Sequence, residues 1–177
     1  MQQMIQNRSV ECIQGDIADQ PDMEAVVNAA NAELRIGGGV AGAIHRAAGP
    51  GLALECEPLA PITPGQAVIT GAHNLPNRYV IHCLGPVYGV DEPSEELLSS
   101  CYSEALRLAE QNGVSSVGFP AISTGAFGYP MRPAARVAFS TIADVLPELS
   151  VVKYIRFVLF NEEDVRTHEE ILKDLVE

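Results

Sequence analysis

The 177-residue chain is predicted to fold as one α/β domain, a mostly parallel sheet with helices on both faces. Strand-like and helix-like segments alternate along its whole length, which is the pattern of strand–helix–strand units. Ala25-Val26-Val27 is a continuous apolar run, as expected of a strand buried on both faces. No repeat, low-complexity tract or linker interrupts the chain, so residues 1–177 are expected to form a single domain.

Val10-Glu11-Cys12-Ile13-Gln14 has the alternation and β-branched content of a first strand, ending at Gly15-Asp16. A polar turn with Pro21 leads to the second strand, Ala25 to Ala29. Val40 to Ala48 reads as a helix with Val40 and Ile44 on one face, stopped by Gly49-Pro50-Gly51. A short helix from Leu52 to Glu57 runs out at Pro58. Ala67-Val68-Ile69-Thr70 and the run Tyr79 to Leu84 are strands, separated by the breaker Asn74-Leu75-Pro76-Asn77. Ser94 reads as the N-cap of a long helix with Glu95 and Glu96 in its first turn, closed near Gln111 by Asn112-Gly113. Ser116 to Pro120 is a short buried strand, and a helix from about Pro133 runs to about Val145. Tyr154 to Phe160 forms the last strand and Glu163 or Asp164 to Val176 the last helix.

Composition narrows the function. A formal net charge of -12, from 11 basic and 23 acidic residues, argues against nucleic acid as a partner, because phosphate backbones need a basic surface. A phosphate ligand would have to be held by local backbone donors. The 47% hydrophobic content suffices for a core. Cys12, Cys56, Cys83 and Cys101 are scattered without a C-x-x-C pair, so a reducing compartment is expected. The first eight residues contain no apolar leader and no run approaches a membrane span, so a cytoplasmic protein without membrane contacts is expected.

In an open α/β sheet, ligands bind outside the carboxyl ends of the strands. Gly15-Asp16-Ile17, the stretch Asn28 to Gly39, Ser123 to Gly128, and Phe160-Asn161 all follow strands. Two are glycine-rich loops opening into helices, able to present free N–H groups to a diphosphate from both sides. Asp16 offers an acceptor for an exocyclic amine or a sugar hydroxyl, and Phe160 a stacking face for a base. Gly37-Gly38-Gly39-Val40-Ala41-Gly42 also satisfies the G-x-G-x-x-G pattern of a Rossmann oxidoreductase. In that motif the first glycine closely follows the first strand. Here Asn31 to Ile36 intervenes and the strand is the second. His45, His73, His82 and His168 lack metal-ligand spacing, so no metal is expected, and Ser123 lacks the G-x-S-x-G elbow of a serine hydrolase.

Gly15-Asp16-Ile17, Val27-Asn28-Ala29-Ala30-Asn31, Gly37-Gly38-Gly39-Val40, Ala43 to Gly49 and Phe119 to Gly125 together resemble the macro domain, nearest its MacroD-type ADP-ribose hydrolase branch. Val80-Ile81-His82 and Gly85-Pro86 extend the resemblance, which runs from about Val10 to the last helix. It implies a three-layer α/β/α sandwich around a mixed, mostly parallel six-stranded sheet. It implies binding of ADP-ribose, with O-acetyl-ADP-ribose or ADP-ribosylated protein as substrates, no cofactor and a monomeric state. Asp16 would meet the adenine amino group beside Ile17, and Phe160 would pack on the adenine. Asn28 and Asn31 form the signature amide pair, with Asn31 at the distal ribose. Gly38, Gly39 and Val40 would form one diphosphate loop, and Ser123, Thr124, Gly125, Ala126, Phe127 and Gly128 the other, with Phe127 over the distal ribose. Asn31 and His45 are the candidate catalytic residues. Ala41 stands where the branch carries an aspartate that orients the attacking water, one helical turn before His45. Its loss leaves water positioned by Asn31, with the substrate phosphate assisting, as the hydrolytic route. A non-catalytic ADP-ribose reader is the alternative.

Overall fold

A computed structural model describes residues 2–176. Its strands are β1 (Gln2–Ile5), β2 (Arg8–Gln14), β3 (Ala25–Ala29), β4 (Ala67–Gly71), β5 (Tyr79–Cys83), β6 (Ser116–Phe119) and β7 (Tyr154–Leu159). They form one seven-stranded sheet in the order β1-β2-β7-β6-β3-β5-β4. The strands from β2 to β5 in that order are parallel, while β1 and β4 run antiparallel at the two edges. The helices are α1 (Gly39–Ala48), α2 (Pro50–Cys56), α3 (Ser94–Gln111), α4 (Met131–Val145) and α5 (Glu162–Val176).

The alternation of side chains along each strand sorts the core into two layers. On β3, Ala25 and Val27 join Leu98, Tyr102, Phe139 and Leu172 beneath α3, α4 and α5. Val26 points the other way, into a smaller cluster with Ile44, Leu52 and Cys56 beneath α1 and α2. Because both faces are covered, a central strand has no polar side, which explains the unbroken apolar run. All four cysteines are free and buried, packed as small core residues. Among the described residues, no helix is long and apolar enough to cross a membrane.

The sandwich is the one expected, but the sheet has seven strands and not six. The additional strand, β1, is joined to β2 by a two-residue turn, Gln6-Asn7, with φ of 50° and 67° at its two positions. Gln2-Gln3-Met4-Ile5 carries no apolar alternation, and only Ile5 is buried. An edge strand paired through its backbone leaves no periodic signal. Ser94 is also corrected: it is the first residue of α3 and not its cap. Pro93 occupies the capping position, and the Ser94 hydroxyl donates instead to the Asp91 carbonyl at 2.6 Å. The helix expected from Pro133 begins at Met131.

Candidate functional site

A cavity of about 470 Å³ opens at the carboxyl ends of the parallel strands. Gly15 and Ile17 enter it from β2, Leu159 and Phe160 from β7, Ala29 to Asn31 from β3, and Pro120 to Ser123 from β6. Two loops face each other across it, one ahead of α1 and one between β6 and α4.

The first loop is folded by its own side chains. Asn31 Nδ2 donates to the Arg35 carbonyl at 2.8 Å, and Asn31 Oδ1 accepts from the Arg35 N–H at 2.9 Å. Leu34, at φ 56°, plugs the loop into the smaller core cluster. The chain then enters α1 through Gly39, whose φ of 54° disfavours a residue with a Cβ. No side chain caps this helix start. The first turn of a helix has no intrahelical acceptors for its N–H groups, so those at Gly39, Val40 and Ala41 are free for an anion beside the cavity. Gly42 allows the turn to close: a Cβ there would collide with the Gly37 carbonyl and lie 2.8 Å from Arg46 Nη1.

The second loop is held by its own backbone and by the segment that follows β5. Ser123, buried at φ 68°, donates its hydroxyl to the Pro86 carbonyl at 2.8 Å, and Thr124 Oγ1 donates to the Ala121 carbonyl at 2.8 Å. Tyr129 N–H donates to the Ser123 carbonyl at 2.9 Å and Gly128 N–H to that of Gly125 at 3.0 Å. Among the described residues, the N–H groups of Gly125, Ala126 and Phe127 have no acceptor. With both hydroxyls committed to backbone carbonyls, what this loop offers a ligand is its own backbone, an anion-binding nest. The Ser123 hydroxyl is anchored away from any nucleophilic role.

The cavity thus brings together Ile17, Asn31, Gly38, Gly39, Val40, Ser123, Thr124, Gly125, Ala126, Phe127 and Phe160 of the expected set. It does not bring in Asp16, Asn28, Gly128 or His45. Asp16 is exposed beside the cavity, and its Oδ1 accepts from the Ala18 N–H at 2.9 Å, so it caps its own turn. Gly128, at φ 76°, closes the second loop from outside the lining. Asn28 lies outside the cavity lining, on the same face of β3 as Val26, and points into the layer beneath α1 and α2. Its amide lies 3.0 Å from His82 Nδ1, and His82 Nε2 lies 2.9 Å from Thr70 Oγ1, whose proton goes to the Gly71 carbonyl. With Asn28 as donor, His82 is the neutral Nε2–H form. Burial, together with the neighbouring His45, pushes its pKa down to about 3. His45 shares the buried face of α1 with Ala41 and Ile44, one turn deeper than the lining residue Ala41. Its ring centroid stands 6.5 Å from that of His82, its Nε2 has no partner, and burial lowers its pKa. The geometry therefore buries Asn28 and His45 around His82, outside the cavity lining.

The expectations from sequence omitted Asp164 and Met131, which line the cavity from the first turns of α5 and α4. An acidic residue in a first turn reads simply as a complement to the helix dipole, so Asp164 carries no sequence signal of a site. Among the described residues, no group of three His, Cys, Asp or Glu is placed to hold a metal ion.

The profile of the Macro domain matches residues 27–138, which hold both loops. An O-acetyl-ADP-ribose deacetylase of Citrobacter koseri is 47% identical over 163 residues, covering 89% of this chain and 92% of that protein. The solved macrodomain of Oceanobacillus iheyensis with ADP superposes with a TM-score of 0.94 at 40% identity, covering 99% of this chain and 96% of that one. The Trypanosoma brucei macrodomain in complex with ADP-ribose gives 0.84 at 39% identity, covering 91% and 68%. The sandwich, the paired backbone loops at its strand ends and these similarities agree: the chain belongs to the macro domain family.

Proposed function

We propose that the protein binds ADP-ribose along this cavity and hydrolyses ADP-ribose conjugates such as O-acetyl-ADP-ribose or mono-ADP-ribosylated protein. The observation that carries the reading is the pair of opposed loops with free N–H groups at the strand ends, beside the apolar face of Phe160. The diphosphate lies between the loops, which supply donors without a cationic side chain. The adenosine half extends towards Phe160 and Ile17, and the distal ribose towards Asn31 and Phe127. The similarity to the Citrobacter koseri deacetylase supports hydrolysis.

Asn31 is the side chain placed to handle water. Arg35 occupies one donor and one acceptor position of its amide, leaving a second N–H and a second lone pair. In the proposed step, water held by this amide attacks the acetyl carbonyl, and the ester C–O bond to the ribose breaks. The water proton passes by way of a substrate phosphate oxygen to the departing ribose oxygen, so the acyl C–O bond breaks with release of ADP-ribose and acetic acid, which ionises to acetate. His45 takes no part as base, being buried off the cavity with a depressed pKa. Ala41 places a methyl group where a carboxylate would orient the same water.

Acetate release from O-acetyl-ADP-ribose tests the reading. Asn31→Ala should lower turnover about 10²-fold or more, with ADP-ribose affinity changed by less than about tenfold. In the same assay Ala41→Asp should raise turnover more than it changes binding. Tight binding by the natural chain with no release above buffer would overturn the hydrolase in favour of a non-catalytic reader.

A further inference from the structure

Asp164 carries the one charged side chain among the described residues lining the cavity, and no lining residue is cationic. Its backbone is fixed at both ends. Its N–H donates to Asn161 Oδ1 at 2.8 Å, and its carbonyl accepts at 2.9 Å from Nδ1 of the buried His168 ring. Its carboxylate has no hydrogen-bond or ion-pair partner among the described residues. Other acids of the fold are engaged: Glu24 with Ser115 and Arg78, Glu110 with the N–H groups of residues 150–152, and Asp22 with Arg156. Arg132, next to the lining residue Met131, is paired with Glu170 at 2.7 Å.

Topology places this carboxylate relative to the ligand. The anion-binding loops follow β3 and β6, whereas α5 follows β7, which lies on the far side of β6 from β3. Asp164 therefore stands on the Phe160 side of the loops, where the adenosine half lies in the reading above, on which this inference rests. A ribose there presents two vicinal hydroxyls, and a carboxylate is the acceptor that takes both protons. The same oxygens face a 2′-phosphate as like charge, with no arginine or lysine on the wall to neutralise it. Acidic residues make this choice between ribose and 2′-phosphoribose in dinucleotide-binding folds as well.

We propose that Asp164 is the specificity-determining residue of the adenosine-side ribose, accepting an unmodified 2′,3′-diol and rejecting ADP-ribose that carries a 2′-phosphate. Calorimetric titration of the natural chain, Asp164→Asn and Asp164→Ala with ADP-ribose and with its 2′-phosphate tests this. The natural chain should prefer the unmodified ligand by about tenfold or more. Both variants should lower that preference about tenfold, mainly by binding the phosphorylated ligand more tightly. Added salt should erode the preference of the natural chain and leave that of the variants nearly flat. A preference that stays within about twofold of the natural value in both variants would overturn the assignment, even with ADP-ribose binding intact. Failure of the natural chain to bind ADP-ribose at all would overturn the cavity reading together with it. Circular dichroism confirms that the variants remain folded, since Asp164 lies in the first turn of a helix and its side chain is not fully buried.

Discussion

Gly42→Ala should weaken ADP-ribose binding about a hundredfold while leaving the chain folded. A Cβ at position 42 would strike the Gly37 carbonyl, and backbone cannot move aside as the nearby Arg46 guanidinium can. The loop must therefore shift away from α1, taking with it the ordered approach of Gly38 and Gly39 to the diphosphate. Alanine is a better helix former than glycine by about 1 kcal/mol, so α1 itself gains local stability from the change. A loss of affinity thus reports the loop and not an unravelled helix. A hundredfold corresponds to about 2.7 kcal/mol, comparable to losing one or two charge-assisted hydrogen bonds. Calorimetry on a variant with an unchanged melting transition checks it. Affinity within about threefold of the natural chain would mean that the first loop does not hold the ligand.

Acidification should destabilise the fold well above the range where carboxylates titrate. His82 has its pKa pushed from the ordinary 6.5 down to about 3, first by burial and second by His45. An unfolded chain takes up the His82 proton near pH 6.5, but the folded chain refuses it until about pH 3. Between those values the unfolded state binds more protons. Stability is therefore complete above about pH 6.5 and is lost as the pH falls, by as much as about 1.4 kcal/mol per unit, until about pH 3. His45 and His168, both lowered mainly by burial, act in the same direction. Asp22, Glu24 and Glu110 are held below their usual values and add their losses only at lower pH. The structural reason is the network itself: a second ring proton at Nδ1 would face the Asn28 amide, while Nε2–H is committed to Thr70. Urea unfolding at about pH 7, 6 and 5 should show stability dropping by at least about 1 kcal/mol per unit below pH 6.5. A flat profile down to about pH 5 would contradict a neutral buried His82.

What could be read in advance follows from which physics leaves a periodic or local trace. The buried parallel strands did, because β3 is apolar on both faces, and so did the first loop, because consecutive glycines before a helix have few other uses. The edge strand β1 did not, since it is held mainly by backbone pairing and its residues show no apolar alternation. Asn28 and Asn31 look equivalent in sequence, three residues apart, yet one meets His82 in the layer beneath α1 and α2 and the other folds the loop at the cavity. Strand alternation separates them only once the end of β3 is known. His45 illustrates the same limit on a helix: it shares a face with Ala41, but a full turn deeper that face meets the core and not the cavity. Asp164 left no trace because its place in the cavity wall depends on β7 lying beside β6, which is a property of strand order.

Titration of the natural chain with free ADP-ribose by calorimetry tests the central claim most directly, because both loops and the adenosine side must act together for it to bind. Binding at about micromolar Kd, near -8 kcal/mol, is the predicted result, with a matching rise in thermal stability as the ligand favours the folded state. Absence of both heat and thermal shift at about a thousandfold higher ligand concentration would contradict it.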